Sequence, residues 1–365
     1  MMFDNVKNKL GFGAMRLKMN DDKVDYDEFN RMIDAFIGTG FNYFDTAHGY
    51  IDGKSETAIR DCLVARYNRE DYVLANKLSE WYFKAEEDIL PLFEKQLELC
   101  GVEYFDFYLF HSLTRVSYPK HKRCNSFEIV KKLKEQGKIK HIAMSFHDTA
   151  DVLDMILTEQ PSIEAVQLQI NYLDYDDPGV QSKACYDVAV KHGKKVIVME
   201  PVRGGYLANL PDEAARVFDK LNGGSYASYA LRYAASYPEV FMVLSGMGDM
   251  NMMMDNINSF SPFVPLNKDE FEATDLAREI IREVRQIPCT GCNYCTEVCP
   301  KKIPISELFS VYNKFLSAKI TSTEAKKSFP KEKGTVNDCI KCGKCEKNCP
   351  QGIKIKEQIE RISKM

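Results

Sequence analysis

Phe105–Phe146 reads FDFYLFHSLTRVSYPKHKRCNSFEIVKKLKEQGKIKHIAMSF, and two periodicities alternate within it. FDFYLFH and IKHIAMSF are short, apolar runs bounded by polar or glycine residues, which marks them as strands. NSFEIVKKLKEQG between them is amphipathic and ends on Gly137, a frequent stop signal for a helix. The same grammar extends in both directions. LGFGAMRL, FNYFDTA and DYVLANK precede this unit, and EAVQLQI, KVIVMEP and VFMVLSG follow it, so eight strand-length runs lie between residues 10 and 246. Helical stretches separate them, and YDEFNRMIDAFIGTG, DILPLFEKQLELCG and VQSKACYDVAVKHG end on Gly40, Gly101 and Gly193. Eight such units predict an α/β fold, a closed (β/α)8 TIM barrel with its chemistry at the carboxyl ends of the strands. A doubly wound open sheet is the alternative, disfavoured because no G-x-G-x-x-G follows the first strand.

A chain of 365 residues and 41.8 kDa accommodates one large barrel and a small appendage, expected at 1–282 and 283–365. Apolar residues make up 45% and charged residues 28%, with a mean hydropathy of −0.34, as in a chain that buries a full core. The opening MMFDNVKNKLGFGAMRL has no signal-like apolar stretch, and no window is apolar enough to span a bilayer. A cytoplasmic protein without membrane contact is expected. Twelve cysteines in such a chain point to metal or redox chemistry rather than disulfides. From Lys301 onward there are 15 Lys/Arg against 7 Asp/Glu, a net +8, which leaves −12 for the rest of a chain whose total is −4. The basic tail has few aromatics and its cysteines have another use, so no nucleic-acid partner is expected.

Two blocks share the spacing C-x2-C-x2-C-x3-C-P: Cys289, Cys292, Cys295, Cys299 with Pro300, and Cys339, Cys342, Cys345, Cys349 with Pro350. Three closely spaced thiolates can wrap one corner of a cubane, and the fourth lies too far round to join them, so it crosses to the other cluster. The expected ligand sets are Cys289, Cys292, Cys295 with Cys349, and Cys339, Cys342, Cys345 with Cys299. A pair of four-cysteine zinc sites is the alternative, although zinc sites usually pair two C-x2-C units. The blocks resemble those of ferredoxin-type proteins that bind two [4Fe-4S] clusters. The insert at 301–338 is longer than in compact ferredoxins and is similar to the α-helical ferredoxin arrangement in subunits of some respiratory enzymes. Helical stretches FEATDLAREIIREVRQ, ISELFSVYNKFLSAKI and GIKIKEQIERISKM surround the blocks, so a small α-helical ferredoxin-like domain is expected. Cys62, Cys100, Cys124 and Cys185 are scattered, as packing residues are.

On the barrel, NYFDTAHGY places Asp45 at the end of the second strand and Tyr50 in the loop after it. Lys77 ends the third strand and His111 the fourth. Singly these read as a surface lysine, a core histidine and a loop aromatic. Together they occupy three consecutive strand ends, where barrel catalysis concentrates. They resemble the Asp, Tyr, Lys, His tetrad of the aldo-keto reductases, and the resemblance covers roughly residues 8 to 260. It implies an oxidoreductase that reduces a carbonyl, or oxidises an alcohol, with NAD(P)(H). Tyr50 would give the proton as charge builds on the substrate oxygen. Lys77 would favour the phenolate and so strengthen Tyr50 as an acid, Asp45 would keep Lys77 charged and in place, and His111 would orient the carbonyl.

The same resemblance assigns Ser145, Gln167, Gly246 and Asn256 to the nucleotide. Phe146 stands where the family usually has asparagine, and Met199 where many members have an aromatic. No Lys or Arg occurs in 244–257 to grip a 2′-phosphate, so charge does not favour NADP over NAD. Met250 and Met252–Met254 read as helix packing. Nicotinamide moves two electrons and a [4Fe-4S] cluster one, so exchange between them needs a converter such as a flavin. No FMN fingerprint is visible, although loops near Arg203–Gly205 and Gly246–Gly248 occupy the phosphate-binding positions of some barrels. The clusters are expected to connect the barrel to a ferredoxin or flavodoxin, or else to be structural or oxygen-sensing beside a barrel that acts alone. A redox-sensing or electron-carrying binding subunit with a vestigial barrel site is the alternative. The pocket-shaping Trp81, His147, Tyr172 and YPKHKRC specify no substrate.

Overall fold

A computed structural model describes the chain except residues 1, 2, 4, 222, 284, 285, 317, 318 and 331–333. Eight parallel strands close on themselves: β1 Leu10–Gly13, β2 Tyr43–Asp45, β3 Val73–Ser79, β4 Phe105–Leu113, β5 Ile139–Phe146, β6 Ala165–Gln169, β7 Lys195–Met199 and β8 Val240–Ser245. Each expected run supplies one of them. The ring closes where β1 pairs with both β8 (Gly11 opposite Leu244) and β2 (Gly11 opposite Tyr43). Gly11 is required there, since a Cβ would meet Leu244 and Met242 side-chain atoms at 2.7 Å.

Alternate residues fill the barrel: Val73 and Ala75, Phe107 and Leu109, Met242 and Leu244 belong to one buried cluster with Tyr43, Ala143, Ala165 and Ile197. Phe3 seals one end, its ring 5.0 Å from that of Phe107. The four glycines that end helical stretches all take positive φ: Gly40 (91°), Gly101 (69°), Gly137 (74°) and Gly193 (64°). The scattered cysteines Cys62, Cys100, Cys124 and Cys185 are buried. In helix Met250–Phe260, Met253 is buried while Met252 is exposed, so only part of the methionine run packs inward.

The chain forms two compact units, Met1–Pro201 with Ser228–Leu266, and Val202–Ala227 with Asn267–Met365. The second is helical. It contains Lys268–Glu283, Ile305–Leu316, Ser322–Ser328 and Ile355–Ser363, with one-turn helices Tyr294–Glu297 and Lys344–Lys347 inside the cysteine blocks. The ends expected for two helical stretches, at 284–285 and 317–318, lie outside the described residues. The repeat extends beyond its cysteines. Positive φ recurs at Gly291 and Lys341, at Asn293 and Gly343, and at Lys302 and Gly352. Ile303 and Ile305 of one block and Ile353 and Ile355 of the other meet in one core, which includes Cys295 and Cys345.

Among the described residues no helix is long and apolar enough to cross a membrane.

Candidate functional site

The strand ends of β2, β3 and β4 bring the four expected tetrad residues together. Lys77 Nζ lies 2.5 Å from Asp45 Oδ1 and donates to the Thr46 carbonyl at 2.8 Å. Both partners are buried, at 1% and 4% side-chain exposure. Burial pushes the Asp45 carboxyl up and the Lys77 ammonium down, and each is opposed by the other's charge. Tyr50 stands over this pair, with Lys77 Nζ 4.7 Å from its ring centre. His111 meets the Tyr50 ring edge-on at 5.9 Å and Trp81 at 5.4 Å.

The electrostatics differ from the expectation in one respect. Burial holds the Tyr50 phenol well above its ordinary range, with Asp45 and Glu200 adding to the effect, and Arg16 is the cation that opposes them. Lys77 has its ammonium committed to Asp45 and Thr46 and lies under the ring. Arg16 follows β1 and sits 3.8 Å from Glu200, just past β7. Neither was singled out in the sequence, where nothing local connects a residue after the first strand to one after the seventh.

His111 is neutral at ordinary pH, because burial first and Lys77 second push its imidazolium well down. Its Nδ1 is 2.6 Å from Ser79 Oγ, the residue paired with it across β3 and β4. A register break between Phe110 and Leu113, with Ser112 at φ 56°, re-aims the chain directly after His111. Ser145 accepts the Ser112 N–H at 2.7 Å, so this break is braced by one of the expected nucleotide residues.

Behind Lys77 runs a buried polar chain. Tyr108 donates to Gln96 (2.6 Å), Gln96 to the Lys77 carbonyl and to Asn76 (both 3.0 Å), and Asn76 to Glu56 (2.8 Å). Glu56 Oε2 then lies 2.7 Å from His48 Nδ1, in the loop that carries Tyr50. Asn76, Glu56 and Gln96 are wholly buried, so the chain locks the third strand to the Tyr50 loop in one geometry. At the top of β6, Gln169 and Asn171 both donate to Asp174, at 2.8 and 3.0 Å.

The expected nucleotide positions fall into two pairs separated by β7. Ser145 and Gln167 are register partners across β5 and β6. Gly246 and Asn256 lie on the β8 side, where Asn256 donates to Ser245 Oγ at 2.9 Å. Arg16 packs over Gly246, so that a Cβ there would stand 3.1 Å from the arginine Cδ. Gly204 has a different use from the phosphate cradle considered for its loop. A Cβ there would stand 2.1 Å from the Thr290 carbonyl oxygen, so that space is filled by the backbone between Cys289 and Cys292.

Cysteines of the two blocks approach one another in two places, although among the described residues no three are set closely enough to hold a metal ion. Burial, then Cys292, Cys289 and Cys349, push the Cys295 thiol up to about 12. Cysteines brought near one another suit a cationic iron core, which binds them as thiolates and offsets their negative charge. Cys299, Cys339, Cys342 and Cys345 line a cavity of about 350 Å³, counting its opening to solvent.

Residues 9–279 match the Aldo/keto reductase family. The chain belongs to that family. Residues 288–353 match the 4Fe-4S dicluster domain, so the reductase barrel carries a 4Fe-4S extension. The uncharacterized oxidoreductase YqkF of Bacillus subtilis is 22% identical over 285 residues, covering 69% of this chain and 87% of its own. An aldo-keto reductase from Bacillus halodurans superposes with a TM-score of 0.62 at 23% identity, over 74% of this chain and 92% of its own. One from Klebsiella pneumoniae, in complex with NADP and acetate, gives 0.60 at 19% identity over 73% and 90%.

Proposed function

We propose that the protein is an NAD(P)(H)-dependent oxidoreductase that reduces a carbonyl or oxidises the matching alcohol, with two [4Fe-4S] clusters linking it to a one-electron carrier. The observation that carries this is the convergence of Tyr50, Lys77, Asp45 and His111 at three adjacent strand ends, with Lys77 Nζ 2.5 Å from Asp45 and 4.7 Å from the Tyr50 ring. A bound nicotinamide would supply the hydride. Ser145, Gln167, Gly246 and Asn256 are the residues offered to hold it. The structure from Klebsiella pneumoniae is in complex with NADP, and the lack of a Lys or Arg in 244–257 for a 2′-phosphate leaves NAD equally in view.

Tyr50 donates its phenolic proton to the substrate oxygen as the carbonyl carbon gains hydride, and regains a proton from solvent afterwards. Its raised pKa keeps it protonated until then. The Arg16 guanidinium, which opposes that rise, and the Lys77 ammonium under the ring stabilise the phenolate left behind, and Asp45 keeps the ammonium charged within the barrel. With Ser79 engaging Nδ1, His111 turns Nε2 to the carbonyl. Trp81 borders the same opening, 47% exposed yet edge-on to His111.

Cys289, Cys292, Cys295 with Cys349 would hold one cluster, and Cys339, Cys342, Cys345 with Cys299 the other. The basic tail suits an acidic ferredoxin or flavodoxin as partner, and reduced cysteines and clusters suit the cytoplasm. The test is Tyr50→Phe in cluster-replete protein, assayed over a panel of aldehydes and ketones. Turnover falls about 10²–10⁴-fold with the visible spectrum of the clusters intact; unchanged turnover refutes the assignment.

A further inference from the structure

The two cysteine blocks are equivalent in spacing and backbone, so positions that differ between them identify what each block faces. The second position of the motif is Thr290 in one block and Ile340 in the other. Thr290 is 4% exposed, and its carbonyl fills the place where Gly204 lacks a side chain. Ile340 is 58% exposed. A covered threonine and a bare isoleucine at the same place in one repeat point to different surroundings.

Charge divides the same way. Gly291, Tyr294 and Glu297 of the first block correspond to Lys341, Lys344 and Lys347 of the second. The first block carries −1 in total, from Glu297, and the second +2, from three lysines against Glu346. Lys341, Lys344 and Lys347 are all exposed. Of the eight block cysteines only Cys342, in the second block, is exposed. Lys301, Lys341 and Lys356 rim the cavity lined by the second cysteine set. Two carboxylates temper this rim, Glu360 at 3.3 Å from Lys341 and Glu346 at 3.1 Å from Lys356. Lysine still dominates.

We infer that the face of the second block, with Ile340 and Cys342 beside Lys301, Lys341 and Lys356 and with the exposed Lys344 and Lys347 in the same block, is the docking port for an acidic ferredoxin-type carrier. Electrons pass singly between that carrier and the cluster held by Cys339, Cys342, Cys345 and Cys299. At the first block the corresponding position, Thr290, is instead covered by Gly204 of the segment that follows β7. An exposed apolar residue beside like charges supplies contact and steering together, as a fast, transient electron-transfer encounter requires. This port rests on the proposal that the clusters serve a one-electron carrier.

The experiment uses cluster-replete full-length protein and an acidic [4Fe-4S] ferredoxin as probe. Binding is followed by calorimetry at low and high ionic strength, and cluster reduction by stopped-flow absorbance with pre-reduced ferredoxin. The triple variant Lys341→Glu, Lys344→Glu, Lys347→Glu weakens binding and slows reduction about tenfold or more at low salt. Ile340→Ser, which removes apolar contact without adding charge, weakens binding at low and high salt alike, and Glu297→Lys in the first block changes either quantity less than about twofold. Bleaching by dithionite in every variant shows that the clusters remain. Wild-type protein that fails to bind the ferredoxin, or a triple variant that binds like wild type, overturns the port. Carbonyl reduction with NAD(P)H on the same preparations separates the two ideas: its absence alongside lysine-dependent docking sinks the barrel activity and leaves the port standing.

Discussion

Asp45→Asn isolates the ion pair on which the barrel site depends. The substitution keeps the shape and removes the charge, leaving the Lys77 ammonium, 1% exposed, with the Thr46 carbonyl and the Tyr50 ring as its remaining partners. Breaking a buried pair from one side costs about 3–5 kcal/mol. In a barrel of this size that corresponds to a fall in Tm of about 6–12 °C. The pH dependence has a definite sign. Burial already lowers Lys77 from its ordinary 10.5, with Asp45 holding it up. Without Asp45 its folded pKa drops further, so across the window up to 10.5 the unfolded chain binds a proton that the folded chain lacks. Stability of the variant therefore rises with pH toward that value, relative to wild type. Lys77→Met added to Asp45→Asn recovers most of the loss, because the buried charge is gone. Urea denaturation followed by circular dichroism at pH 6 and pH 9 measures all three proteins. A loss below about 1 kcal/mol that is the same at both pH values refutes a buried, charged Lys77.

Three other outcomes follow from separate parts of the molecule. Burial alone would raise Glu164, but hydrogen bonds from His141, Lys134 and the Ile142 N–H outweigh it and bring the carboxyl to about 2. Its contribution, on the order of 3 kcal/mol, is full above pH 4.5 and lost as pH falls toward 2, so wild type and Glu164→Gln converge in urea midpoint on acidification. Gly204→Val forces Thr290 away and lowers iron and acid-labile sulfide toward one cluster per chain, while a full complement means that the backbones are not in contact. Cys349→Ser removes the same cluster as Cys292→Ser, so the double variant retains one cluster by paramagnetic resonance of the reduced protein. Loss of both clusters in the double contradicts the crossed ligand sets.

The eight strands were legible because they are largely buried on both faces and read as short, mostly apolar runs bounded by polar or glycine residues, as in FDFYLFH and KVIVM. The cysteine blocks were legible because their ligands are local in sequence. What sequence could not supply is convergence. His48, Glu56, Asn76, Gln96 and Tyr108 come from three barrel units, and no spacing rule joins them into the chain behind Lys77. Arg16 and Glu200 lie 184 residues apart and act on Tyr50 in opposite directions. Gly204–Gly205 has the composition of a phosphate loop, and only tertiary contact shows Gly204 against Thr290. One feature was within reach: Thr321 and Glu324 form the S/T-x-x-E capping box that starts the helix Ser322–Ser328.

The most direct test of the central proposal is isotope transfer. Cluster-replete protein is incubated anaerobically with an aldehyde and ketone panel and with NADH or NADPH carrying deuterium at both C4 positions, and the alcohols are analysed by mass spectrometry. Deuterium on the carbinol carbon of wild-type product, lost with Tyr50→Phe, is the predicted result. Alcohol that forms without deuterium, or labelled alcohol that forms equally well without the Tyr50 hydroxyl, contradicts it.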